Sequence, residues 1–211
     1  MLVFSKQKLV LLSVPKTGTT AFQAALAPHA SMVITDPPEL KHAPVFRYNR
    51  FFRPALEKFV GVPLDVVAVM REPISWLGSW YRYRQRPAMA GHANATCDMS
   101  FDSFVEGYIK GKRPGFANVG SQAKFMEPQK NGTAVTHLFR YEDQEHLREF
   151  LSARLGVTFD TAVLNVSPRA ELHLAPEIET RLRRKCAAEF ALYDSIGPGG
   201  AYTPPEIGSV G

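Results

Sequence analysis

A chain of 211 residues, 45% hydrophobic and 21% charged, has the make-up of an ordinary water-soluble globule and is long enough for one substantial core but short for two. Its 25 Lys and Arg against 20 Asp and Glu leave a formal charge of +5, which favours an anionic partner without selecting nucleic acid over a polyanionic cofactor. No apolar run is bilayer-length, no secretion signal opens the chain, and Cys97 and Cys186 stand far apart, so the expectation is a cytoplasmic, reduced protein with no metal and no membrane insertion.

Short β-branched runs alternate with helical periodicity, predicting one α/β domain with a mainly parallel sheet flanked by helices. Residues 8–14 read as the first strand and Thr19–Leu26 as the helix after it. A short strand at 31–34 opens into Thr35-Asp36-Pro37-Pro38, a turn no helix crosses. Asp65–Met70 is almost continuously apolar, as a buried parallel strand requires. Pro73 then starts a helix to Arg84 with Ile74, Leu77 and Tyr81 on one face. Residues 85–100 form a long loop of the kind that often faces substrate. Helices follow at 101–110 and 122–126, separated by an irregular stretch, then a strand at 134–140. Asp143 is placed to cap a helix ending near residue 155, and 176–193 reads as one last long helix. Arg181, Arg183, Arg184 and Lys185 read as a solvated helix face. The domain is expected to span 1–196, with 197–211 a loosely attached tail rich in glycine and proline.

Two segments carry chemistry. In the first, an apolar strand runs through Val14-Pro15-Lys16-Thr17-Gly18-Thr19-Thr20 into a helix. Amides at a helix N-terminus and the positive end of its dipole make an anion cradle. Gly18 permits close backbone approach, Lys16 adds a point charge, and the Thr19 and Thr20 hydroxyls can donate to phosphate oxygens or serve as simple caps. The order is not that of G-x-x-x-x-G-K-[ST], since the lysine precedes the glycine by two residues, and this argues against magnesium-assisted ATP chemistry. In the second segment, Met70-Arg71-Glu72-Pro73 joins the end of the buried strand to a helix bearing Ser79. Arg71 offers a fork for phosphate and Ser79 a hydroxyl, at the sheet edge where open α/β folds bind ligands.

Together these segments resemble the sulfotransferases that use 3′-phosphoadenosine 5′-phosphosulfate (PAPS). Pro15, Lys16, Gly18, Thr19 and Thr20 match the 5′-phosphosulfate loop P-K-x-G-T-T, and Arg71, Pro73, Ser79 and Tyr81 match the 3′-phosphate motif. The likeness continues through Phe139-Arg140-Tyr141-Glu142-Asp143, Leu164-Asn165-Val166-Ser167 and residues 189–194. One departure stands out: many members have a second arginine five residues after the first, where this chain has Trp76.

The resemblance implies a P-loop-type sheet and transfer of a sulfuryl group from PAPS to an acceptor hydroxyl or amine, leaving PAP, without a metal. It implies that Pro15, Lys16, Thr17, Gly18, Thr19 and Thr20 hold the 5′-phosphosulfate, that Arg71 and Ser79 hold the 3′-phosphate, and that Lys16 stabilises the leaving oxygen. Such a reaction needs a base. His42, in Lys41-His42 after the double proline, is the candidate, with Glu39 the alternative. Gln122 and Lys124 fall where the family approaches nucleotide or acceptor. His92 in the long loop can reach substrate, and His137, His146 and His173 read as structural. Trp76, Trp80, Tyr81 and Tyr83 are expected to pack one helix rather than stack on substrate. The expected partner is a small-molecule or carbohydrate acceptor, not nucleic acid. Competing readings are a P-loop kinase or NTPase and a non-catalytic PAP- or nucleic-acid-binding protein.

Overall fold

Three apolar residues near the start of the chain, Leu2–Phe4, pair with the strand predicted first, and that hairpin sets the sheet. The computed structural model describes residues 1–161 and 172–203. Its strands are β1 (Leu2–Phe4), β2 (Leu9–Leu11), β3 (Met32–Val33), β4 (Asp65–Met70) and β5 (His137–Arg140), in the spatial order β3-β1-β2-β4-β5. β2, β4 and β5 are parallel neighbours, while β1 runs antiparallel to both β2 and β3. The sheet is therefore mixed, with its parallel half at the strands that carry the two motifs. β1 was absent from the expected elements, and Lys8, expected in a strand, instead closes the hairpin with a left-handed φ of 55°. A hydrogen bond from the Leu12 amide to the Val67 carbonyl extends the β2–β4 ladder beyond β2, and strand geometry then gives way to the motif turn.

The two-residue period of the strands divides the core. Leu9, Leu11, Val67, Val69 and Phe139 face one side, where they meet Phe22 and Leu26 of α1 (Thr19–Leu26). Val10, Val66, Ala68, Met70 and Leu138 face the other, packed against Val45 and Tyr48. Those two residues belong to a helical stretch the sequence pattern concealed. After α2 (Pro38–Lys41), α3 (Val45–Arg47) passes through a π-turn at Tyr48–Phe52 into α4 (Arg53–Val60). Exposed Phe46, Phe51 and Phe59 blur its periodicity, and Pro54 sits near the α4 start.

α5 (Pro73–Arg84) matches its expected bounds, and α6 (Phe101–Tyr108) packs against it in a third core with Trp76, Leu77, Tyr81 and Phe104. α7 (Gln122–Phe125) and α8 (Gln144–Leu155) follow, and the segment expected as one final helix is two, α9 (Pro176–Lys185) and α10 (Ala187–Asp194). They break at Cys186, whose φ of −118° and ψ of 33° are non-helical. Asp143 stands at the α8 N-cap, but its carboxylate bonds the His146 ring instead of a helix amide. Residues 198–200 form a 3₁₀ turn, and Gly200 lies so close to Phe139 that a Cβ there would be 2.5 Å from the ring. The start of the expected tail is thus packed on the sheet. The Leu164–Ser167 segment of the family pattern and residues 204–211 fall outside the described residues.

Candidate anion-binding site

The strand-to-helix turn after β2 adopts an unusual backbone. Gly18 has φ of 70°, and Lys16, with a side chain, has φ of 66°, a region that costs a non-glycine residue on the order of 1 kcal/mol or more. The Thr17 hydroxyl is buried and donates to the Val14 carbonyl at 2.8 Å, closing the turn. Thr17 therefore offers a ligand its amide rather than its side chain. Among the described residues, the amides of Lys16, Thr17, Gly18, Thr19 and Thr20 donate to no protein acceptor, and the first turn of α1 contains no acidic residue. Converging unpaired amides at a helix start form an anion nest. Thr20 is exposed at its rim and Thr19 is buried beneath it.

Arg71 follows β4 and closes onto this turn. Its Nη1 donates to the Lys16 carbonyl at 3.4 Å and its Nε to Ser75 Oγ at 2.9 Å. Its guanidinium lies 4.4 Å from the centre of the Tyr141 ring, and that same ring would stand 3.0 Å from a Cβ on Gly18. A Cβ at this position would be strained by the backbone angle and would crowd the tyrosine ring. The second turn differs from the first in one respect: the Glu72 carboxylate accepts from the Ile74 and Ser75 amides, capping α5. Its cation is thus a side chain and not a helix terminus. Ser79 is buried one turn beyond Ser75 on the same stripe of α5, which continues to Arg82 and, just past the helix end, Arg86.

Two further side chains fix these turns. Trp76, which stands where many members of the resembled family carry arginine, donates its indole N–H to the Pro15 carbonyl at 2.9 Å. The departure thus ties α5 to the first motif. Gln122, almost fully buried, accepts from the Arg71 amide at 2.9 Å and donates to the Arg71 carbonyl at 2.8 Å. It positions Arg71 through the backbone. Gln122→Ala leaves both groups without a partner, and a stability loss of about 1–3 kcal/mol is expected in denaturant unfolding; a smaller loss than a surface substitution gives would show the clamp to be dispensable.

The site is strongly positive. Burial, followed by repulsion from Arg86, Arg71 and Arg82, lowers the Lys16 ammonium pKa to about 8. With no carboxylate among the described residues within ion-pair distance of it, Lys16 Nζ rests 4.1 Å from the Tyr83 ring centre and 5.5 Å from that of Trp80. These aromatics, expected as packing, also hold the lysine. Burial lowers the Arg71 pKa too, against the opposing pull of Tyr141, Glu142 and Glu72.

His42 lies beside the first turn, its Nδ1 2.7 Å from the Ser13 carbonyl. A carbonyl only accepts, so Nδ1 carries the proton and Nε2 is the basic nitrogen. Burial lowers the His42 pKa, opposed by the Ser13 bond, with Lys41 and the N-terminal amine lowering it further. Glu39 is exposed on α2, where its carbonyl accepts from Arg47. His137 stacks on Phe150, and His92 accepts from the Asn94 amide in the long loop. Arg82, Arg86, Ser75 and Tyr141 were not assigned roles from sequence. The spacing 75, 79, 82 and 86 along one helix face is the signal for three of them.

Among the described residues, no group of three His, Cys, Asp or Glu is placed to hold a metal ion, and no helix is long and apolar enough to cross a membrane. No protein-family model matches the chain, and no curated protein matches it. What the molecule defines directly is a single α/β domain with a mixed five-stranded sheet and a cationic rim where β2 and β4 end.

Proposed function

We propose that the protein is a PAPS-dependent sulfotransferase. The observation that carries this reading is the approach of the two motif turns: Arg71 Nη1 reaches the Lys16 carbonyl, so one rim presents an amide nest and a guanidinium side by side. A ligand with two separated phosphates matches that pair, and the unpaired amides fit a phosphate better than a neutral group. The 5′ end would be held by the amides of Lys16 to Thr20, and the 3′-phosphate by Arg71 with Ser79. When bound, PAPS supplies a sulfuryl group whose transfer to an acceptor oxygen releases PAP and one proton. Lys16 places a cation where charge develops on the departing phosphate, and His42 Nε2 accepts the acceptor's proton. P-loop kinase chemistry is less well supported, because the lysine precedes the glycine and, among the described residues, no group of three His, Cys, Asp or Glu is placed to hold a metal ion.

Thermal shift with PAP, ATP–magnesium and an oligonucleotide in parallel tests the assignment. PAP is expected to give the largest stabilisation without added metal; stabilisation by ATP–magnesium alone would reverse the assignment in favour of an NTPase.

The lowered Lys16 pKa adds a pH dependence. An anion prefers the ammonium form, which the free protein holds below about pH 8. Above that, binding must take up a proton, so PAP affinity is expected to fall as pH rises, by at most about tenfold per unit. The phosphates are about nine-tenths in the dianionic form at pH 7 and almost wholly so from pH 8 upwards, their second pKa being about 6. Calorimetry at pH 7 and above checks this, and Lys16→Arg is expected to flatten the dependence. A wild-type affinity constant to pH 9.5 would contradict it.

A further inference from the structure

On the far side of α7 from Arg71 lies a cavity of about 810 Å³, within the ~300–1,000 Å³ range of small-molecule sites. Its walls are cationic: Lys110, Lys112, Arg113, Lys124 and Lys185 line it, against one carboxylate, Glu189. Among the described residues, no carboxylate lies within ion-pair distance of any of the four lysines. Arg113 is fixed, donating to the Tyr108 and Gly120 carbonyls and stacking 3.8 Å from the Tyr108 ring. Glu189 is buried and held by the Ala123 amide, and burial raises its pKa against the opposing pull of Ser121, Ala123 and Arg113, so a single carboxylate stands against five cationic side chains. Unpaired lysines facing one concavity repel each other, and an anion in it relieves that repulsion.

Two short stretches of chain link the cavity wall to the proposed reaction centre. α7 turns Gln122 towards the Arg71 backbone and Lys124 towards the cavity. Pro44, two residues after His42, forms another wall with Phe46. Of the three aromatic residues in the lining, Tyr108 and Phe125 are buried and Phe46 alone is exposed, too few platforms for successive stacked bases. A single exposed ring suits the apolar face of one sugar.

We infer that this cavity binds the acceptor, and that the acceptor is an anionic carbohydrate carrying carboxylate, sulfate or phosphate groups beside its free hydroxyls. The inference rests on the sulfotransferase reading for the word acceptor, while the ligand class rests on the cavity alone.

Calorimetry with the intact protein separates the two. PAP is titrated first, and absence of PAP binding would count against the sulfotransferase reading. With PAP present, an oligogalacturonate and a sulfated oligosaccharide are compared with neutral maltotetraose and a single-stranded oligonucleotide. At least one anionic sugar is expected to bind, with salt-sensitive affinity, and the neutral sugar to bind weakly or not at all. The double variant Lys112→Ala, Lys185→Ala is expected to weaken that binding roughly tenfold or more while leaving PAP affinity and the unfolding midpoint unchanged. Equal binding of the neutral sugar, binding of neither anionic sugar, a tighter grip on the oligonucleotide, or anionic binding untouched in the double variant would overturn the inference.

Discussion

Lys16→Ala is expected to lower turnover with PAPS by roughly 10²–10³-fold, the range seen when one donor to a developing oxyanion is removed. The same change is expected to weaken PAP binding much less, since the amides of residues 16–20 and Arg71 remain. The separation follows from where the ammonium sits. It is held against Tyr83 and Trp80 with three guanidiniums nearby and, among the described residues, no carboxylate pairing it. A cation kept in repulsive surroundings gains most when negative charge appears beside it. Single-turnover rates with labelled PAPS, alongside calorimetric PAP affinities, distinguish the two effects. A variant whose turnover is unchanged would remove Lys16 from the chemistry, and one that loses PAP binding and turnover equally would make it a binding residue only.

His42→Gln is expected to reduce the rate by about 10²–10⁴-fold, the usual contribution of a positioned general base, with PAP affinity unchanged. The wild-type pH profile gives a second readout. Since the His42 pKa lies below its ordinary 6.5, the base is neutral at pH 7 and activity is lost only on acidification below that ordinary value. The acid limb should vanish in His42→Gln. Glu39→Gln, on an exposed position of α2, is expected to leave both rate and profile intact. An unchanged rate in His42→Gln, or an acid limb that persists there and disappears in Glu39→Gln, would transfer the role to the glutamate.

The elements that hold the site were readable because the physics that forms them is local. Asp65–Met70 is apolar on both faces, which a central parallel strand demands, and Pro73 marks a helix start by its fixed φ and missing amide. The bounds of α1 follow from Gly18 and the threonines. Three features were hidden for identifiable reasons. β1 is three residues long and acquires its pairing only from neighbours on either side. The 45–60 helical run exposes phenylalanines on more than one side and contains a π-turn, so no single period describes it. The break at Cys186 lies in a stretch with no proline or glycine to announce it.

The site shows the same division. Lys16, Gly18 and Arg71 were legible from their order around strand ends. Their supports were not, because Trp76, Tyr141 and Gln122 act across long sequence separations: Trp76 on Pro15, Tyr141 on Gly18 and Arg71, and Gln122 on the Arg71 backbone. Trp76 is the clearest instance, since what looks from sequence like the loss of a cation is in space a hydrogen bond to the first motif.

The account depends on one rim gripping a nucleotide at two phosphates. Calorimetric titration of PAP, 5′-AMP and 3′-AMP into wild type and Arg71→Ala addresses this most directly. PAP is expected to bind more tightly than either monophosphate, and Arg71→Ala to weaken PAP and 3′-AMP while sparing 5′-AMP. No heat of association with PAP, or a PAP affinity equal to that of 5′-AMP and untouched in Arg71→Ala, would contradict it.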